Sequence, residues 1–266
     1  MKNVALIVYG RFPTEKAYGS HLIDVANGFI SNKIKVSIIY SETSNNKTIF
    51  EDPESYYSLK NINYIKANNF DFTKLYVFKI LPNILQKILW SIGAYFWSRS
   101  LKSTLNNYDT LWSTNPNILI CHANTSKTII YEKHGAGKNF QKVILKRLSK
   151  FKNVYLVGTT RTSFEELSNL AKSRSIYLPN GVNLSQYKNI EKNTVTNKLN
   201  IGYIGMLETY GKDKGVKDAF QQIKNLPKEC NIKATIIGGP KQKLNEIIDE
   251  LSNSNIEFTH SDKIPK

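Results

Sequence analysis

Six consecutive apolar residues, Val4-Ala5-Leu6-Ile7-Val8-Tyr9, open the patterned part of the chain. A run without alternation suits a strand buried on both faces of a parallel sheet. Leu22, Val25, Ala26, Phe29 and Ile30 then recur at helical spacing, and Lys35-Val36-Ser37-Ile38-Ile39-Tyr40 returns to strand. The order predicts one βαβ unit with the loop Gly10 to Tyr18 inside it, and so a parallel sheet with right-handed crossovers.

Residues 41 to 61 are polar with little periodicity and read as a loop. Asn63 to Ala67 reads as a short strand. Leu81 to Leu105 reads as a long helix with Ile84, Ile88, Ile92, Tyr95 and Phe96 on one side. Further strands are expected at Asp109 to Ser113, Lys127 to Tyr131, Asn153 to Gly158 and Ser175 to Leu178. Helices near Phe140 to Lys150 and Ser163 to Lys172 lie among them.

Past Pro179 the pattern changes. A Pro-Asn-Gly turn is followed by a stretch rich in Asn, Lys and Thr, Asn183 to Lys198, which is a linker composition. A second α/β pattern then begins with a strand at Leu199 to Ile204 and a helix at about Asp213 to Lys224. A strand at Lys233 to Ile237, a helix at Gln242 to Leu251 and a strand at Ile256 to Thr259 follow. The division expected is a first domain over 1–178, a hinge and linker over 179–198, and a partial second domain over 199–266. Three strands are few for an independent doubly wound sheet.

Composition narrows the partners. At 266 residues the chain holds one large or two modest domains with real cores. Its formal charge of +16 comes mostly from scattered lysines and points to an anionic membrane face, a phosphorylated substrate or nucleic acid. No zinc-finger spacing and no aromatic-basic RNA signature is present, so nucleic acid is not expected. Cys121 and Cys230, far apart in sequence, read as free thiols of a reducing cytosol. The first apolar run is too short for a signal-peptide core. Leu81 to Leu101 is interrupted by Asn83, Gln86, Lys87 and Arg99 and does not read as a membrane span. Its aromatic residues, flanked by Lys79, Lys87, Arg99 and Lys102, fit either an interfacial helix or a buried core helix. The chain is therefore expected in the cytoplasm, with a peripheral place on the inner membrane face as an option.

Several positions could carry chemistry. In the first loop, Gly19 at a helix start lets backbone N–H groups approach an anion such as a diphosphate, or else serves only a tight turn. Lys212, Lys214 and Gly215 precede the helix of the second domain and follow the strand-loop Gly202 to Gly205. Lysines in a first helical turn oppose the macrodipole, and a bound anion offsets that cost. Gly238-Gly239-Pro240 is another loop at the carboxyl end of a strand, the edge where open α/β sheets bind ligands. Glu132-Lys133-His134-Gly135 places a carboxylate and a histidine at the corresponding edge of the first sheet, where His134 can donate to a sugar hydroxyl or phosphate oxygen. His21 and His122 read as structural or surface residues. No two of the four histidines have metal-ligand spacing, so no zinc site is expected. Neither a Gly-x-Ser-x-Gly elbow nor a Walker loop is present.

In this order the segments resemble the retaining glycosyltransferases of family 4, group 1 type, which have the GT-B fold. Arg11-Phe12-Pro13 with Ala17-Tyr18-Gly19-Ser20-His21 looks like the family's first loop. Glu132-Lys133-His134-Gly135 looks like its Glu-x-His-Gly element. Leu178-Pro179-Asn180-Gly181-Val182-Asn183 is similar to its hinge, Tyr203-Ile204-Gly205 through Lys214-Gly215 to its donor-site opening, and Ile236 to Pro240 to the following strand and glycine loop. Met206 stands where the family usually has arginine, and the family's Glu-x7-Glu motif would lie beyond Lys266, so a truncated second domain is expected.

The resemblance implies two Rossmann-like domains facing a cleft. It further implies transfer of a sugar from a nucleotide-diphosphate donor with retention and no obligatory metal. Lys214 would carry the leaving-group stabilisation, assisted by the Gly19 N–H. His134 would orient the sugar, and Glu132, Lys212, Gly205, Gly239 and Asn180 would bind substrate. The acceptor would be a glycan or polyprenyl-linked glycan of surface polysaccharide synthesis (capsule, O-antigen or exopolysaccharide). Two alternatives stand beside this reading: an inactive remnant that keeps acceptor binding, and a GT-B nucleotide-sugar epimerase.

Overall fold

A computed structural model describes residues 2–42, 49–69, 78, 80–134, 139–181, 198–209, 212–224, 226, 231–251 and 256–261. Gly135, Val182, Asn183, Cys230 and the expected linker up to Asn197 lie outside these residues. The chain divides into two compact units, Met1–Gln186 and Tyr187–Lys266.

In the first unit the strands are β1 (Asn3–Val8), β2 (Lys35–Ser41), β3 (Asn63–Ala67), β4 (Thr110–Ser113), β5 (Thr128–Lys133), β6 (Val154–Gly158) and β7 (Ser175–Tyr177). They form one sheet in the order β3-β2-β1-β4-β5-β6-β7, every neighbouring pair parallel. This is the doubly wound arrangement, and the strand order reverses between β1 and β4.

The uninterrupted apolar run of β1 has a simple cause: both of its faces are covered. Val4 and Leu6 pack with Leu22, Ile23 and Ala26 of α1 (Ala17–Ser31). Ala5 and Ile7 enter a second core with Ala94, Trp97, Leu101 and Ile118. Burying such side chains is worth roughly 1.5–3 kcal/mol each, enough to fix the strand between the layers.

Residues 41 to 61 are not all loop. A short helix, α2 (Pro53–Tyr57), begins where the Asp52 side chain accepts from the Ser55 N–H and Pro53 occupies the first turn. The long helix α3 (Asn83–Ser100) buries Gly93, Ala94, Trp97 and Ser98. Its seat is made by those small residues, with the Ser98 hydroxyl donating to the Ile118 carbonyl at 2.8 Å, in α4 (Pro116–Leu119). The stripe predicted from the sequence faces the other way: Ile84, Ile92 and Phe96 are exposed, the first by 70%. Hydrophobicity chose the wrong side because close packing selected glycine and alanine. Among the described residues no helix is long and apolar enough to cross a membrane.

Helices α5 (Asn139–Leu148) and α6 (Arg161–Ala171) also belong to this unit. Thr160 and Ser163 close a reciprocal capping box at the start of α6. Cys121 is a free thiol, and burial pushes it up to about 11.

The second unit is a three-stranded parallel sheet, order β12-β11-β8, made of β8 (Lys198–Ile204), β11 (Asn231–Ile237) and β12 (Ile256–Ser261). The two-residue strands β9 (Glu208–Thr209) and β10 (Lys212–Asp213) pair antiparallel. Helices α7 (Val216–Lys224) and α8 (Lys241–Leu251) close a core of Val216, Phe220, Ile232, Ala234, Ile236 and Leu244. Helix α7 begins three residues later than its predicted start, because Gly215 has φ +70° and the Asp213 carboxylate accepts from its N–H at 2.6 Å. Lys212 and Lys214 therefore precede the helix, and Asp218 stands in its first turn. The macrodipole penalty expected for the lysines does not arise.

Candidate functional site

Strand β5 runs two residues further than its apolar pattern, so Glu132 and Lys133 are the last residues of a buried strand. Glu132 is only 3% exposed. Trp112 on β4 pairs with Ile130, one pleat before Glu132, and so emerges on the same face. Its indole N–H donates to Glu132 Oε2 at 2.7 Å, while the ring packs edge-on to Phe29.

The other carboxylate oxygen collects two imidazoles. His21 Nε2 on α1 lies 2.7 Å from Glu132 Oε1, and His134 Nε2 lies 3.0 Å from the same atom. The two rings meet edge to face with centroids 4.6 Å apart. Burial works to raise the Glu132 carboxyl, but hydrogen bonds from His134, His21 and Trp112 overcome it and hold the group at about 2. The hydrogen bond to Glu132 raises His21 against the effect of its own burial. Glu132 is thus a fixed anion, and the histidines are its partners.

His21, read from sequence as a structural or surface residue, stands in this cluster, and the fold brings together three possible metal-ligand groups that sequence spacing does not show, His21, Glu132 and His134, with ligand atoms within 4.8 Å of one another. Separations of 111 and 113 positions hide the relationship from any local motif. His122 does match its structural expectation, being buried with Nε2 3.0 Å from the Ser98 hydroxyl.

Beside the cluster lies a cavity of about 760 Å³. His21, Trp112 and Glu132 line it on one side, Val25 and Phe29 extend it along α1, and Asn180 closes it from the segment after β7. Asn180 and Glu132, both predicted from sequence, are thereby brought to one concave surface, together with the unpredicted Trp112. A hydrophobic wall with a few convergent polar groups is the usual make-up of a small-ligand site.

Gly19 has a packing role. A Cβ there would lie 2.3 Å from the Tyr57 hydroxyl and 2.9 Å from the Thr14 carbonyl oxygen. Its N–H already donates to the Lys16 carbonyl at 2.9 Å. The expectation that this N–H is reserved for a diphosphate is therefore revised. The neighbouring Arg11 is buried, pairs with Glu15 and Thr14 through Nη2, and keeps Nη1 without a hydrogen-bond partner. Sequence reasoning gave Arg11 no role.

In the second unit the predicted glycine loops support each other. The Gly205 N–H donates to the Ile237 carbonyl at 2.9 Å, and the Leu207 N–H donates to the Gly239 carbonyl at 2.8 Å. Gly238 is in close backbone contact with Gly205. Lys214 is exposed, with its N–H bonded to the Leu207 carbonyl at 3.1 Å. Nearby, Lys243 holds Glu208 at 2.8 Å and Asp213 at 3.7 Å, which ties the β9–β10 hairpin to α8. Lys212 lies on β10. Gly205, Lys212, Lys214 and Gly239 belong to the second unit, and Gly19, Glu132, His134 and Asn180 to the first.

The sequence matches no protein-family model and no curated protein. Solved structures do resemble it. A glycosyltransferase from Rickettsia africae superposes with a TM-score of 0.63 at 12% identity, covering 98% of this chain and 68% of its own. A mutant of S. aureus TarM, in complex with fondaparinux, alpha-GlcNAc-glycerol and UDP, gives 0.65 at 10% identity over 98% of this chain and 77% of its own. The UDP-GlcNAc 2-epimerase of Methanocaldococcus jannaschii gives 0.53 at 14% identity over 99% and 74%. At these identities the likeness is one of architecture, and this chain has the α/β GT-B fold.

Proposed function

We propose that this protein is a glycosyltransferase that moves a hexosyl group from a nucleotide-diphosphate donor to a glycan or lipid-linked acceptor, with retention. The observation that carries the reading is Glu132, buried and held at about 2 at the carboxyl edge of the first sheet, with His134 against it and a ligand-sized cavity alongside. A fixed anion of this kind orients an imidazole toward a sugar hydroxyl or a phosphate oxygen. In the second unit, Lys214 offsets the charge developing on the leaving diphosphate, with Lys212 and the Gly205 and Gly239 loops shaping the donor-binding surface of that unit. In this reading the transfer needs no obligatory metal. Gly19 contributes by letting the first loop pack closely, and Asn180 contacts the acceptor in the cavity.

The acceptor fits surface polysaccharide synthesis, with the protein peripheral at the inner membrane face. The basic charge of +16 and the outward apolar stripe Ile84, Ile92 and Phe96 support that placement. The likeness to an epimerase supports a second reading, in which the sugar is inverted at one carbon rather than transferred.

Incubation with a panel of labelled nucleotide sugars, with and without lipid-linked acceptors, separates the two. Acceptor-dependent label in an α-linked product from an α-linked donor supports transfer with retention. Free epimerised sugar or epimerised nucleotide sugar without acceptor supports the second reading. No turnover of any donor, together with no nucleoside diphosphate binding, sinks both.

A further inference from the structure

His21, Glu132 and His134 form a compact donor set at the carboxyl edge of the first sheet. His134 Nε2 lies 3.0 Å from the Glu132 carboxylate oxygen, and Thr159 Oγ1 lies 3.4 Å from His134 Nδ1 on the other side of the ring. Three such groups can share hydrogen bonds or hold a metal ion.

Geometry favours the metal. His21, Glu132 and His134 converge from α1, β5 and the residue after β5, with their ligand atoms within 4.8 Å of one another. Zinc-type ions bind such atoms at about 2 Å, which sets ligand atoms roughly 3 Å apart around one ion. The separations from the carboxylate oxygen are 2.7 and 3.0 Å. The outward atoms have the partners expected of metal ligands: the Trp112 N–H on Glu132 Oε2, and Thr159 Oγ1 near His134 Nδ1.

We infer that His21, Glu132 and His134 form a binding site for one divalent transition-metal ion of the zinc and cobalt class, with a coordination position left for water or a ligand oxygen. Two imidazoles and one carboxylate suit that class and not magnesium or calcium. The site does not depend on the transfer reaction proposed above, whose leaving-group chemistry uses Lys214. A bound ion occupies His134, the residue assigned there to the sugar, so metal is expected to inhibit turnover.

The test is a titration of chelator-treated full chain with Co2+ near neutral pH, followed by visible absorption and calorimetry. The expected result is saturation at one ion per chain with the intense bands of low-coordinate cobalt, displaced by Zn2+ and unaffected by excess Mg2+. His134→Ala, at a half-exposed position that tolerates truncation, and His21→Ala should each weaken binding at least tenfold. Trp112→Phe, which removes only the supporting N–H, should weaken it by about tenfold. Circular dichroism verifies that each variant is folded. Absence of saturable uptake by the wild-type chain overturns the site, as does unchanged affinity in folded His134→Ala. Protection by a nucleoside diphosphate, measured on the same samples, reports the donor site separately.

Discussion

A Cβ placed on Gly238 would lie 1.7 Å from the carbonyl oxygen of Gly205. These two glycines, at the carboxyl ends of β11 and β8, let the two loops touch backbone to backbone. Gly238 also has φ +146°, where side chains are rarely found. Gly238→Ala is expected to destabilise the second unit by more than about 3 kcal/mol, through overlap with a backbone atom that no rotamer change relieves. Gly202→Ala, where nothing lies within 4 Å of the added carbon, should cost far less. Thermal unfolding of the two variants checks the contrast, and equal losses would refute it.

The Glu132 cluster gives a pH signature in chelator-treated protein. Its carboxyl sits at about 2 when folded, against an ordinary 4.5, so its contribution is complete above about 4.5 and is lost as pH falls toward 2. His21 is raised from 6.5, so its contribution is complete below 6.5 and is lost as pH rises through the higher folded value. Stability from the pair should therefore be greatest between about 4.5 and 6.5. Denaturant titrations across pH should show this maximum flattened in Glu132→Gln. A variant that keeps the full acid limb would contradict the assignment.

Lys133 points its ammonium into the first unit and pairs with Glu166 of α6, the lysine 5% exposed and the glutamate 38%. Glu166→Ala leaves a buried positive charge without its carboxylate and should cost about 2–3 kcal/mol, low for buried pairs because Glu166 is partly exposed. Lys133→Met removes the charge itself and should cost less. If the lysine substitution proves the more damaging, the pair matters for something other than charge compensation.

Lys214 is exposed beside the Gly205 loop, so its loss should leave folding nearly unchanged. In the proposed donor site, Lys214→Ala should weaken nucleoside diphosphate binding about tenfold, the value of one charge-assisted hydrogen bond. Thermal-shift titration with UDP and other diphosphates reads it directly. Identical protection of variant and wild type would remove Lys214 from the site.

The strands were largely legible: parallel strands covered on both faces leave long apolar runs, as Val4 to Tyr9 over β1, and the shorter pattern Asn63 to Ala67 matches the edge strand β3. Sequence pattern failed where packing, not hydrophobicity, decided the outcome. Helix α3 buries Gly93 and Ala94 and exposes Ile84 and Phe96. Strand β5 ends in Glu132 and Lys133, whose charge disguised their burial. Local signals for α2 were present in Asp52 and Pro53, although the surrounding polar stretch obscured them. Within the site, Glu132, His134 and Asn180 could be read from motifs. His21 could not, because its partnership is made by the β1–β4–β5 arrangement and not by nearby sequence.

Two imidazoles leaning on a single carboxylate oxygen make His21, Glu132 and His134 one thermodynamic unit. The first substitution within it removes most of what the three supply together, and a second finds little left to remove. Double-mutant cycles should accordingly be strongly non-additive. A lineage that loses one member is then under weak constraint to keep the others, so the three residues should be inherited or lost together.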